Sequence, residues 1–232
     1  MKIPKRLEKC SIVDSLCEIR FDPLMPPEIA VGMIAGILNS LFTSELEGLP
    51  VLQIPEPFRN MDEQFRFAPH YRVKIGDTVL QFSGTVIVVA SPIPYVGWDS
   101  FKPEIEKIIH HLVNANIIKN VNRVARRTIN FFPEDILENL NFEVKTTITL
   151  ERPQYHYIDC YKIDNLMIRT TIGNQAVVNG VEGSIIDIDA YVENPSVELL
   201  SDMIEKTHFE SKKVFFTLLK PSFIEMMIPV YE

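Results

Sequence analysis

Asp187 and Asp189 stand two apart in Ile186-Asp-Ile-Asp189. On a strand they project from one face, roughly 6.5–7 Å apart along it. Two carboxylates so placed can hold a divalent cation for phosphate chemistry, with His208 or Glu193 completing the ligands. The plainer reading is a half-buried strand whose aspartates face water or pair with arginines. No ligand cluster converges on the pair in the sequence, so no metal site is predicted. Arg123, Arg126 and Arg127, with Lys119, form a local basic cluster. On a strand Arg123 and Arg127 share one face, and Arg126 takes the other with Val124, Thr128 and Asn130. Arg126 beside polar Thr128 and Asn130 could line an anion-binding cavity, since a guanidinium forks onto carboxylate or phosphate. The structural alternative is a cross-strand pair with Asp187, Asp189 or Glu18.

Tyr155, Tyr157 and Tyr161 share a strand face. Three aromatic rings in a row can bind a partner, or can be the contact layer between a sheet and a helix. Trp98, in Tyr95-Val-Gly-Trp98, sits at a strand-to-helix junction and is expected to plug that corner. His110 and His111 are adjacent, and on a helix their side chains diverge by roughly 100°. His70, His156 and His208 stand alone and read as ordinary histidines. The sequence contains no GxSxG elbow, P-loop, GxGxxG or CxxC, so it predicts no cofactor.

The 232 residues are 46% hydrophobic and 23% charged, which excludes a largely disordered chain. A net charge of −8 speaks against nucleic acid as a partner. The longest helix-like apolar stretch, Ile29 to Leu38, is far short of a bilayer span, so no membrane association is expected. Cys10, Cys17 and Cys160 are too few for a disulfide framework, and the basic start leads into no secretory signal, which points to a reducing, cytoplasmic setting.

Alternation places a first strand over Ser15 to Phe21, with Cys17, Ile19 and Phe21 on one face. A helix follows from Pro27 to about Phe42, apolar enough to be buried on most sides. A possible edge strand at Val51 to Ile54 precedes strands over Phe65–Ile75, Thr78–Ser83 and Thr85–Ser91. A helix after Trp98 carries Phe101, Ile105, Ile108, Ile109 and Leu112 on one stripe, and Val121–Phe132 is the next strand. The first half, residues 1–133, thus reads β-α-β-β-β-α-β. Residues 133–141 are a boundary, with a helical turn around Ile136 and Leu137. The second half, residues 142–232, reads as strands over Phe142–Leu150, Tyr155–Ile163, Leu166–Ile172, Gln175–Val178 and Ser184–Tyr191. Asp164-Asn165 and Gly173-Asn174 are its hairpin turns, and helices over Asn194–Thr207 and Ser211–Leu219 follow. Strands grouped with strands mean α+β, with antiparallel sheet and helices packed on one face, built as one compact unit.

Four segments in order, Ile12-Val-Asp-Ser-Leu-Cys-Glu-Ile-Arg-Phe21, Tyr95-Val-Gly-Trp98 with Phe101, Arg123-Val-Ala-Arg-Arg-Thr-Ile-Asn130 and Ile186-Asp-Ile-Asp189, resemble a sporadically distributed family of uncharacterised bacterial and archaeal proteins of similar size. The resemblance spans nearly the whole chain and departs from the family at Arg126-Arg127-Thr128, where the family has an aromatic-rich segment. It implies a compact prokaryotic cytoplasmic protein and transfers no catalytic residue.

Two functions stay open at this level. One is a cytoplasmic binding or protein-interaction module without catalysis, dimeric or partnered through a sheet edge or the Tyr155/Tyr157/Tyr161 face. The other is an enzyme or ligand-binding protein for a phosphorylated or carboxylated small molecule, with Arg126, Asn130, Asp187 and Asp189 at its site. A cavity between the sheet and the Phe101 helix with Arg126 inside favours the second.

Overall fold

The computed structural model describes residues 2–142 and 153–231, side chains at 60, 63 and 64 aside. The chain runs β1 (Arg6–Leu7), β2 (Ile12–Pro23), α1 (Pro27–Leu38), β3 (Glu47–Gly48), α2 (Glu56–Met61), α3 (Glu63–Arg66), β4 (Tyr71–Ile75), β5 (Thr78–Phe82), β6 (Val86–Ala90), α4 (Trp98–Asn114) and β7 (Ile118–Phe132). Then come β8 (His156–Ile163), β9 (Leu166–Val178), β10 (Val181–Glu193), α5 (Leu200–Leu218), α6 (Pro221–Met226) and β11 (Pro229–Val230). The fold is α+β, and every strand pairing is antiparallel.

Nine strands form one sheet in the order β3-β4-β5-β6-β2-β7-β10-β9-β8, and β1 and β11 form a separate two-stranded ribbon. β7 pairs with β2 on one side and β10 on the other, so the sheet runs unbroken across residues 133–141. Strand parity assigns the two faces. Cys17, Ile19 and Phe21 of β2, Val124 of β7 and Ile186, Ile188 and Ala190 of β10 are buried under the helices. α1 and α4 cover the β2 end, and α5 crosses to the β10 end. Leu200 and Ile204 of α5 join the first apolar cluster, whereas Phe215 and Phe216 join the second.

Several elements differ from the sequence reading for local physical reasons. α1 buries the row Ala30, Ile34 and Leu38 but exposes Ile29 and Met33, so an almost wholly apolar helix is covered on one side only. Val51–Ile54 is not a strand: Leu52 N–H donates to Leu49 and Ile54 N–H to Val51, closing tight turns, and the edge pairing comes from Glu47–Gly48. Phe65 and Arg66 donate to the Asp62 carbonyl as a helical turn, so that strand begins only after Pro69. Gly173-Asn174 is not a turn. β9 continues through it to a hairpin at Asn179-Gly180, both at positive φ. The two C-terminal helices separated at 207–211 are one helix, Leu200–Leu218, in which the Thr207 and Ser211 hydroxyls turn back onto carbonyls three residues earlier and are buried without breaking it. The strand expected over Phe142–Leu150 lies, beyond Phe142, outside the described residues.

Gly84 presses on α1: a Cβ there would stand 2.1 Å from the Pro27 carbonyl oxygen, whereas Gly36 faces open space. Alanine at the two positions should therefore act in opposite directions. Urea melts should show Gly84→Ala costing about 3 kcal/mol through backbone displacement, and Gly36→Ala gaining about 0.5–1 kcal/mol from helix propensity. Equal effects would contradict this packing of α1.

Candidate functional site

Antiparallel register separates the arginines of β7. Arg126 pairs across to Cys17 and Ala190, residues of the helix-covered face. Arg123 and Arg127 point to the opposite, open face. There Arg127 grips Asp187 with two nitrogens, Nε–Oδ1 at 2.9 Å and Nη2–Oδ2 at 2.6 Å. Arg123 joins Glu18 and Asp189, the latter at 2.6 Å, and lies 4.5 Å from the Tyr191 ring centre. Burial pushes the Asp189 carboxyl above its ordinary value, and Arg123 pulls it back. Asp187 and Asp189 are thus committed to arginine, and the sheet itself lies between them and Arg126. The expected set of Arg126, Asn130, Asp187 and Asp189 is split: the first two share a cavity and the last two do not reach it. His208 also lies on the helix side, away from both aspartates.

Arg126 is 1% exposed, the largest fully buried side chain among the described residues. It donates to the Leu16 carbonyl and, at 3.0 Å, to Ser15 Oγ. The Tyr95 hydroxyl lies close to both Ser15 and Arg126, where it interacts favourably with the guanidinium charge. Its guanidinium carbon lies 5.0 Å from the Trp98 ring centre and 5.2 Å from that of Phe101, close enough for cation–π attraction. Its Nε is buried without an acceptor. No carboxylate among the described residues pairs with it, so the expectation of a structural ion pair with an aspartate is corrected. Burial pulls its pKa down from the usual arginine value, with Tyr95 opposing.

The guanidinium borders a cavity of about 570 Å³ between the sheet and α5. Ser11, Ile12, Arg126, Thr128 and Asn130 come from β2 and β7 or their approach, and His208, Ser211, Lys212, Phe215 and Phe216 from α5. The segment Pro94–Trp98 and the ribbon strand β1 with its flanks close the sides. Gly97, at φ 86°, makes the bend that starts α4 and sets Trp98 over Arg126. Ser11 Oγ donates to Asn130 Oδ1 at 2.9 Å, fixing the amide. Lys212 Nζ donates to the Lys5 carbonyl at 2.9 Å, tying α5 to the ribbon. A second cavity of about 590 Å³ mixes Asp22, Glu28 and Glu56 with Arg59 and Arg66, so its charges offset one another.

His208 stacks on Trp98 with ring centres 3.9 Å apart and planes 9° from parallel, while Trp98 Nε1 donates to Glu205 at 3.2 Å. Burial, then the charges of Arg126, Lys212 and Lys102, push the His208 pKa down to about 2. A neutral imidazole results, able to hydrogen-bond but too weak a base to take a proton at neutral pH. Cys17, behind Arg126, is pushed up to about 12 by burial and stays a thiol. Sequence reading missed the pairing of Trp98 with His208. The signal was present: His208 lies on the helix row of Ile204, Ser211 and Phe215, the inner row of α5.

The tyrosine face resolves mainly into packing. Tyr155 is buried, stacks on Tyr157 at 5.3 Å and donates its hydroxyl to Asp135 at 2.6 Å. Tyr157 packs against the second apolar cluster, and Tyr161 is exposed. Among the described residues no helix is long and apolar enough to cross a membrane. No family model matches the chain, and no curated protein matches it.

Two measurements check this geometry. Calorimetry with magnesium or manganese should show no binding tighter than about 10⁻⁴ M, the weak end for oxygen-ligand sites, because arginines occupy both aspartates. Tight binding lost in Asp187→Asn would contradict the ion-pair reading. Folded His208 resists protonation, whereas the unfolded chain takes that proton near the ordinary value of 6.5. Its effect on stability is therefore nil above that pH and unfavourable below it, by up to about 1.4 kcal/mol per pH unit. His208→Phe keeps the ring stack and removes this loss. Its Tm relative to wild type should rise from about pH 7.5 to about pH 5.5, and parallel pH profiles would contradict a neutral His208.

Proposed function

We propose that the protein binds a small carboxylated or phosphorylated molecule, with Arg126 as the recognition charge. One observation carries this reading: a guanidinium buried to 1% exposure borders a cavity and has no carboxylate partner among the described residues. A buried charge is costly unless something of opposite sign neutralises it. The protein supplies a carbonyl, two hydroxyls and two aromatic rings, which ease the cost without cancelling the charge. An anion entering the cavity would cancel it. The cavity also holds groups suited to hydrogen-bonding the rest of such a ligand, Ser11, Thr128, Asn130 and the neutral His208.

Of the two functions left open by the sequence, this favours the ligand-binding one. The rival interaction module drew on Tyr155, Tyr157 and Tyr161, and two of those rings are occupied within the fold. The three cysteines are unpaired, which agrees with a cytoplasmic site of action.

Arg126→Met distinguishes a ligand site from a structural one. In the empty protein it should raise stability by about 1–3 kcal/mol, because replacing a buried charge by an apolar side chain of similar size relieves desolvation. It should also abolish the thermal shift that short carboxylates or phosphate esters produce in the wild type. At about a hundredfold excess over Kd that wild-type shift corresponds to about 2.7 kcal/mol. Loss of stability in the variant, or no shift with any anion in the wild type, would contradict the proposal.

A further inference from the structure

Accepting that the cavity takes an anion at Arg126, we infer that the ligand is a monocarboxylate with an apolar body rather than a phosphate. Charge balance comes first. Arg126 is one positive charge at the inner end of the cavity, with no carboxylate partner among the described residues. One carboxylate brings the buried pair to neutrality. A phosphate monoester, close to doubly charged at neutral pH, would leave a surplus negative charge beside apolar walls, at a desolvation cost. The outer cations do not make up the difference. Lys5 and Arg6 are exposed, where water and salt screen them, Lys5 lies 3.1 Å from Asp99, Glu8 adds a negative charge to the same wall, and Lys212 Nζ is held at the Lys5 carbonyl, 2.9 Å away on the ribbon side.

Donor supply points the same way. A phosphate needs several N–H or O–H donors around its oxygens, as helix N-termini and glycine-rich loops provide. Arg126 already spends donors on Leu16 and Ser15, and the Ser11 hydroxyl donates to Asn130. What is left suits the two oxygens of a planar carboxylate. Arg127 shows this complementarity one residue away, where a single carboxylate, Asp187, satisfies a guanidinium through two contacts. The walls define the remainder of the ligand. Leu7, Ile12, Tyr95, Val96, Phe215 and Phe216 line a volume of about 570 Å³, far larger than a carboxylate alone requires. Apolar carbon there is removed from water at no polar cost.

Trp98 is the single tryptophan of the chain, and it lines the cavity next to Arg126, so its fluorescence reads the site without a label. Titration of the whole chain with straight-chain carboxylates from acetate to octanoate should give a saturable change. Affinity should rise about fourfold per methylene until the cavity is filled. Alkyl phosphates of equal length should bind at least tenfold more weakly, and octanol should fail to saturate. Arg126→Met should abolish the octanoate response, and Arg126→Lys, which keeps the charge but loses the planar fork, should weaken it at least tenfold. Phosphates binding as tightly as carboxylates would overturn this inference and leave the anion site standing. An affinity independent of chain length would overturn the apolar body. Octanol equal to octanoate, or an unchanged response in Arg126→Met, would overturn the role of the charge, and no response to either anion series would overturn the anion site as well.

Discussion

A guanidinium sealed beneath two aromatic rings, with no carboxylate among the described residues to neutralise it, is the constraint around which the helix-covered face is organised. Transfer of such a charge out of water costs several kcal/mol even after relaxation. The fold offsets part of that cost by convergence on Arg126 from distant parts of the chain. The Leu16 carbonyl and Ser15 hydroxyl come from β2, Tyr95 from the segment after β6, and Trp98 and Phe101 from the first turn of α4. Its influence reaches the neighbouring groups. His208 is kept neutral by burial and then by this charge, while Tyr95 and Cys17 are pushed up by burial against its pull. The cavity is therefore positive at Arg126, with His208 and Tyr95 un-ionised beside it, which suits reception of an anion better than proton transfer.

One strand serves two electrostatic regimes. On the open face Arg123 and Arg127 meet Glu18, Asp187 and Asp189 in a compensated ladder across β2, β7 and β10. These pairs are partly exposed, and their value lies in fixing register more than in stability. On the helix face the same strand carries the uncompensated Arg126. A slip of one residue between β7 and its neighbours would turn Arg127 to the helix face, away from Asp187, and bring Arg126 to the open face. The ladder and the cavity thus depend on the same register.

Much of this was legible in the sequence. Alternation in β2, the apolar stripe of α4 and the parity of Arg123, Arg126 and Arg127 were correct because they are local and periodic. Errors arose where a local breaker is overruled by long-range structure. Gly173 lies in β9 where a Cβ would stand 3.4 Å from His156 and from the Tyr155 carbonyl, and the β9–β10 pairing shifts register opposite it. That glycine sits at a bulge rather than a turn, with its neighbours at ordinary contact distance. The partner of Arg126 was illegible for a different reason. Three arginines offer identical donors, and only the three-dimensional register decides which of them meets Asp187 and Asp189. Trp98 and His208 lie 110 positions apart, and no short-range pattern joins their rings.

The state of the Arg126 side chain tests the account most directly. Nitrogen-15 NMR of the arginine Nε–H groups, assigned with Arg126→Lys, reports whether that proton is protected and what accepts it. A slowly exchanging Arg126 resonance with no sign of an acceptor is expected in the empty protein, moving downfield when octanoate is added. A resonance that already shows a strong hydrogen bond in the empty protein, and stays in place with octanoate, would mean that Arg126 is satisfied within the fold and is not the receptor for an anion.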